Sequence, residues 1–170
     1  LLATLAATLA FLPTSAQQTQ SDAIQGFMGG GDVSDIPQVE ASGKHYYYKG
    51  RRGDPFLIMK QAGWNLVRLR IWNDPKDGTC DKDYALKLAK RAHAAGLNIS
   101  LDFHYSDTWA DPGKQYAPAK WKDMTVDEME RALYSYTRDV LGAMNAQGTP
   151  PIMVQVGNEI SSGMCWPVGK

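Results

Sequence analysis

Histidine and cysteine are scarce. The 170 residues hold three histidines, His45, His93 and His104, and two cysteines, Cys80 and Cys165, with no closely spaced ligand pair. That argues against a zinc site of the usual Cys/His spacing. Charge of either sign is not in excess: 18 basic and 18 acidic residues give a net charge of zero. No global field then favours nucleic acid or an anionic membrane surface, and a neutral substrate is expected. Phosphate-loop patterns are lacking as well. Gly29-Gly30-Gly31 has no downstream Lys-Ser/Thr, no glycine fingerprint opens a helix after a strand, and the three glycines read as a flexible strand-to-loop turn. What remains, 44% hydrophobic and 21% charged, is the composition of an ordinary globular chain of about one domain.

The apolar run from Leu1 to Leu12 is too short to span a bilayer. Pro13, the small residues Ser15 and Ala16 and a Gln/Thr/Ser stretch follow it, so residues 1–20 are expected to be a secretory signal peptide and polar tail. No Met and no basic segment precede the run, and the true start is expected to lie upstream. Export to the periplasm, the cell surface or the medium follows from that reading. In such a compartment Cys80 and Cys165 could pair or stay free, and the sequence leaves this open.

From residue 24 onward strands and helices alternate. Gln25 to Val33 reads as a strand ending at Asp32. Asp54-Pro55 supplies an N-cap and a first-turn proline for a short helix that Gly63 ends. Asn65 to Trp72 alternates strictly, with Val67, Leu69 and Ile71 on one face and Arg68 and Arg70 on the other. A helix from Asp81 carries Tyr84, Leu88, Ala92 and Ala95 at helical spacing until Gly96. Asn98 to Tyr105 alternates again, Ile99, Leu101 and Phe103 against Ser100, Asp102 and His104. After a loop rich in Trp, Asp, Pro and Gly, a Thr125…Glu128 capping box opens a long helix with a buried stripe of Val126, Met129, Leu133, Tyr136, Val140 and Met144. Gly148 closes it before the buried strand Met153-Val154-Gln155-Val156.

Repeated crossovers of this kind make a parallel α/β sheet, either open and doubly wound or closed as a (β/α)8 TIM barrel. Central strands of a doubly wound sheet are apolar on both faces. Here one face carries Arg68, Arg70, Asp102 and His104, which fits a barrel whose interior turns polar toward its mouth. A full barrel takes about 250 residues. Residues 24–170 are therefore expected to be the N-terminal half of one, about the first four βα units, with exposed strand edges and a tendency to self-associate.

Polar groups gather at the strand ends: Asp32, then Arg68, Arg70, Trp72 and Asn73, then Asp102 and His104, then Asn158 and Glu159. In a barrel these ends form the binding face. Trp72, Trp109, Trp166 and Tyr105 offer flat faces for sugar rings, and the polar side chains can bond hydroxyls. Arg68 or Arg70 could equally pair with Asp102, and His104 could be a satisfied structural histidine. Glu159, expected half buried and still reachable, has the placement a proton-transferring carboxyl needs.

The stretches DVSDIPQVEASGKHYY, VRLRIWNDPKDG, LDFHYSDTWADPGKQ and VQVGNEISSGMCWPVG resemble the endo-β-1,4-galactanases of glycoside hydrolase family 53, collinearly from Gly26 to Gly169. The resemblance implies a (β/α)8 barrel that cuts β-1,4-galactan, a side chain of pectin, internally and with retention. It implies Glu159 as the acid/base and Asn158 as a ligand of the substrate's 2-hydroxyl, with Arg68, His104, Asp102 and Trp109 lining the cleft; Asp32, Trp72 and Asp107 complete the candidate substrate-binding set. The family's nucleophile is a second Glu on strand seven, beyond these four strands, so the 170 residues alone are expected to be inactive. No cofactor is expected from these residues, and calcium held by later loops is left open. Two rival readings are a non-catalytic galactan-binding barrel and a retaining barrel hydrolase of another β-linked polymer.

Overall fold

The computed structural model describes residues 26–170. The expected leader over residues 1–20 lies outside the described residues. The elements run β1 (Gly30–Asp32), α1 (Ile36–Ala41), β2 (Tyr46–Tyr48), β3 (Arg51–Gly53), α2 (Pro55–Gln61), β4 (Leu66–Ile71), α3 (Lys82–Ala94), β5 (Asn98–Phe103), a 3₁₀ turn (Ala119–Trp121), α4 (Val126–Ala146) and β6 (Met153–Val156). Strands β1, β4, β5 and β6 form one parallel sheet in that order, and β2 and β3 form a separate antiparallel hairpin. Each main-sheet strand pairs with the next one in the chain and the order never reverses. A doubly wound sheet reverses at its switch point, and a barrel does not.

Local chemistry explains the boundaries. Asp54 accepts from the backbone N–H groups of Phe56 and Leu57 ahead of Pro55, and Asp81 accepts from that of Tyr84. Thr125 and Glu128 form both halves of the capping box. These bonds satisfy N–H groups that the first turn leaves without partners. Gly63, Gly96 and Gly148, at φ 95°, 76° and 80°, follow the ends of α2, α3 and α4.

The core lies on the outer face of the sheet. Val67, Leu69 and Ile71 of β4 and Ile99, Leu101 and Phe103 of β5 are buried against Ala85, Leu88, Ala89 and Ala92 of α3 and Val140 and Met144 of α4. Small residues on α3 let it sit close to the pleated surface. The opposite face is polar yet also closed, with Arg70, Ser100, Asp102 and His104 buried.

Several expectations need correction. Strand β1 starts at Gly30, so Gly30 and Gly31 are strand residues and no flexible turn. A Cβ on Gly30 would stand 1.8 Å from the Leu66 carbonyl oxygen, and its absence allows β1 to lie against β4. Helix α1 and the β2–β3 hairpin occupy a stretch to which the sequence assigned no element, each too short to show a period. Val126 is exposed, because the apolar stripe of α4 starts one turn later at Met129. Met153, Val154 and Val156 are exposed as well: among the described residues β6 is paired on one side only, by β5. Cys80 and Cys165 are free and buried, and burial pushes each thiol up to about 11. No helix among the described residues is long and apolar enough to cross a membrane.

Arg91 of α3 fastens α1 and α2. It donates to both Glu40 oxygens at 2.8 Å and to Asp54 Oδ2 at 2.8 Å. Its hydrogen bonds, opposed by burial, hold the Glu40 carboxyl below its ordinary value of 4.5. A depressed folded-state value contributes stability that is complete above the ordinary pKa and lost as pH falls through the folded one. Glu40→Gln is therefore expected to lower the melting temperature at pH 7, and the deficit should shrink as pH drops below 4.5. Thermal melts across that range check it; a deficit independent of pH would contradict it.

Candidate active site

The C-terminal ends of the four parallel strands share one edge of the sheet, and Arg68 organises it. Its Nη1 donates to Asp32 Oδ2 at 2.9 Å; its Nη2 donates to Asp102 Oδ2 at 2.5 Å and to Asn158 Oδ1 at 2.9 Å. Nε and Nη2 also reach Gln155 Oε1 at 3.4 and 3.3 Å. One planar five-donor group thus links β1, β4, β5 and the end of β6. Asp102 is fully buried, and its Oδ1 has no hydrogen-bond partner among the described residues. Burying a carboxyl group this completely is costly unless a cation pairs with it.

The open question of which arginine pairs with Asp102 is thereby answered: Arg68 does. Arg70 pairs instead with Asp32, at 3.4 Å, and with Asp35. Burial works against its charge, yet Cys80, Asp32 and Asp35 together carry its pKa above the ordinary value.

His104 receives two N–H groups on Nδ1, from Trp72 Nε1 at 3.2 Å and from the Ala110 backbone at 3.1 Å. That nitrogen must present a lone pair, so the ring's hydrogen is on Nε2. Nε2 lies 2.9 Å from Asp102 Oδ2 but off the axis of a hydrogen bond. Trp72, His104 and Trp109 meet edge to face at 5.5–6.3 Å. The Arg70 guanidinium lies 4.2 Å from the Trp109 ring centre. Trp109, 47% exposed, is the member of this cluster open to solvent.

Beyond β6 the chain turns at Gly157, φ 86°, where a Cβ would meet Ile160 Cγ2 at 2.5 Å. Asn158 is buried with Nδ2 donating to the Ala110 carbonyl at 2.7 Å. Arginine only donates and a carbonyl only accepts, so these two partners fix which way the amide points. Glu159 follows at φ 51°, a left-handed conformation uncommon for a side chain of its length. Such residues persist where the surroundings over-determine them. Gln115 supplies that constraint: its buried Nε2 donates to the carbonyls of Asn158 at 2.6 Å and Glu159 at 3.3 Å. Glu159 is exposed, where half burial was expected, because the edge strand β6 leaves its outer side without a wall.

The other candidates divide. Asp32, Arg68, Asp102, Asn158, Trp72, His104 and Trp109 come together. Asp107 accepts from the backbone of Asp74 at 3.0 Å and of Ala119 at 2.8 Å, tying two loops. Tyr105 is not a sugar platform: it is buried, stacked on Phe103, with its hydroxyl on Thr137. Trp166 stands against Tyr116, apart from the cluster. Residue-level reading missed Gln115, Gln155, Ser34 and Asp35. Gln155 was findable, since it is the polar residue of MVQV and its register partner is Asp102. Ser34 Oγ, which accepts from the Arg70 backbone, and Asp35 follow directly on β1. Gln115 carried no pattern of its own.

Sequential parallel strands, helices on the outer face and a polar edge at the strand ends define part of a (β/α)8 barrel. The chain belongs to glycosyl hydrolase family 53, whose model matches residues 28–170. It is 44% identical over 144 residues to arabinogalactan endo-β-1,4-galactanase A of Aspergillus niger, covering 83% of this chain and 41% of that protein. It is 43% identical over 146 residues to the endo-β-1,4-galactanase of Bacillus subtilis (strain 168), covering 81% and 34%. A solved fungal β-1,4-galactanase superposes with a TM-score of 0.81 at 42% identity, over 83% of this chain and 42% of the other. The chain spans about two fifths of the length of the curated relatives it matches.

Two substitutions probe the edge. Arg68→Met leaves buried Asp102 without its cation and should cost about 3–5 kcal/mol, while adding Asp102→Leu should recover part of that loss. Urea denaturation reads both, and a lone Arg68→Met with unchanged midpoint would refute the hub. Gln115→Leu removes the donor from two carbonyls and should cost about 1–3 kcal/mol; the same titration shows it.

Proposed function

We propose that the complete protein is an exported endo-acting β-1,4-galactanase working with retention, in which Glu159 is the acid/base. The observation that carries the reading is the placement of Asn158-Glu159 at the C-terminal end of β6 in a family 53 chain, with Asn158 locked by Arg68 and Ala110 and Glu159 exposed. Neutral galactan suits a chain of zero net charge, and residues 1–20 suit export.

A retaining glycosidase needs two carboxyls about 5 Å apart, one protonating the leaving oxygen and one attacking the anomeric carbon. Glu159 takes the first role, giving its proton to the glycosidic oxygen and afterwards accepting one from water. Asn158 has a second Nδ2 hydrogen free of the Ala110 bond, and that hydrogen is suited to the sugar's 2-hydroxyl. Trp109 offers its exposed face to a ring, steadied by Arg70 behind it. Asp32 and Asp102 are both held by Arg68, which makes them cleft-shaping groups, and the attack falls, as the resemblance to family 53 implies, to a Glu on strand seven.

In the complete protein Glu159→Gln should lower galactan cleavage roughly a hundred- to ten-thousandfold. Galactosides with strongly acidic leaving groups should be spared at the first step, because their departure needs no proton. Reducing-end release and product stereochemistry by NMR test the assignment; undiminished cleavage, or inversion, sinks it. Equal rates on mannan, xylan or cellulose would move the substrate elsewhere. The 170 residues expressed alone should release no reducing ends.

A further inference from the structure

The zero net charge conceals a strongly basic element. Between Ala41 and Asp54 the chain has no acidic residue, while Lys44, Lys49, Arg51 and Arg52 are all exposed, as is His45. None of these four cations takes part in an ion pair among the described residues. The rest of the neutral chain is consequently net acidic, so this hairpin stands out electrostatically.

Its aromatic content is also local. Strand β2 is three consecutive tyrosines, and the register sets Tyr47 across from Arg52 and Tyr48 across from Arg51. Partners in register share a face and successive pairs point to opposite faces, so Tyr47 and Arg52 stand on one face of the hairpin and Tyr48 and Arg51 on the other. Tyr47 is 61% exposed. A cavity of about 710 Å³ is lined in part by Lys44, His45, Tyr46 and Arg52, and another of about 510 Å³ in part by Tyr48, Lys49, Arg51 and Arg52. The carboxylates at the rim, Glu40 and Asp54, are both held by Arg91. They are therefore already compensated, and the basic side chains have no local acid to satisfy.

We propose that the β2–β3 hairpin is a second polysaccharide-binding surface, distinct from the Asn158-Glu159 edge, and that it takes a uronate polymer, a chain of sugar rings each bearing a carboxylate. Every residue of such a polymer offers a ring face and an anion. On one face Tyr47 with Arg52, and on the other Tyr48 with Arg51, supply an aromatic ring and a bidentate carboxylate donor, so either face can take a ring of the polymer with its carboxylate. A surface built for charge alone needs no tyrosines, and one built for neutral sugar needs no unpaired arginines. A net-acidic remainder disfavours a duplex nucleic acid of high charge density.

The test is affinity electrophoresis of the complete protein through gels containing polygalacturonate, polyglutamate or duplex DNA, at low and high salt. Retardation by polygalacturonate alone, weakening as salt rises, is expected. Arg51→Gln/Arg52→Gln should weaken it about tenfold, the loss of a charge-assisted hydrogen bond, and Tyr47→Ala should weaken it too. Galactan cleavage should be unchanged in both variants, which separates this surface from the catalytic reading. Should the double variant not fold, as shown by its melt, Lys44→Gln/Lys49→Gln takes its place. Absence of retardation, equal retardation by polyglutamate or DNA, or variants retarded like the unaltered protein would each overturn the proposal.

Discussion

The guanidinium of Arg68 is the point at which four strands become one site. A parallel sheet fixes the spacing of its strands through backbone bonds but leaves the side chains at its C-terminal edge free to repel or disperse. Two carboxylates, Asp32 and Asp102, meet at this edge, and without a cation between them neither their proximity nor the burial of Asp102 could be sustained. The same group then reaches Asn158, whose other end is held by a loop carbonyl. Orientation passes in this way from the sheet interior to the residue just before Glu159.

A second layer of constraint acts on the backbone. Gly157 and Gln115 bend the chain beyond β6 and hold Glu159 in a left-handed conformation. The Glu159 side chain is thus positioned by its main chain, while its neighbour Asn158 is positioned by side-chain bonds. Trp109 is held by packing on Arg70, His104 and Trp72. An exposed acid, a fixed amide and a braced aromatic ring thus stand along one edge of the sheet.

Electrostatics in this chain works by segregation. At the strand ends Asp32, Asp35 and Asp102 are tied to arginines, and the acids beside the hairpin are tied to Arg91, so Lys44, Lys49, Arg51 and Arg52 are left without an ion pair among the described residues. A neutral total therefore says nothing about the local field.

The sequence by itself determined the bounds of α2, α3 and α4, the alternation of β4 and β5, the barrel order and the location of the polar edge. Those depend on neighbours a few residues apart: Asp54 before Pro55, Thr125 with Glu128, glycines after helices, and apolar residues every second position. Tertiary structure alone decided that Arg68 rather than Arg70 holds Asp102, that Gln115 props the turn of Glu159, that Tyr105 belongs to the core, and that β6 and Val126 lie exposed. Each of these depends on partners tens of residues away, or on whether a neighbouring element covers a face. Periodicity reports which face a residue is on, and only packing decides what that face meets.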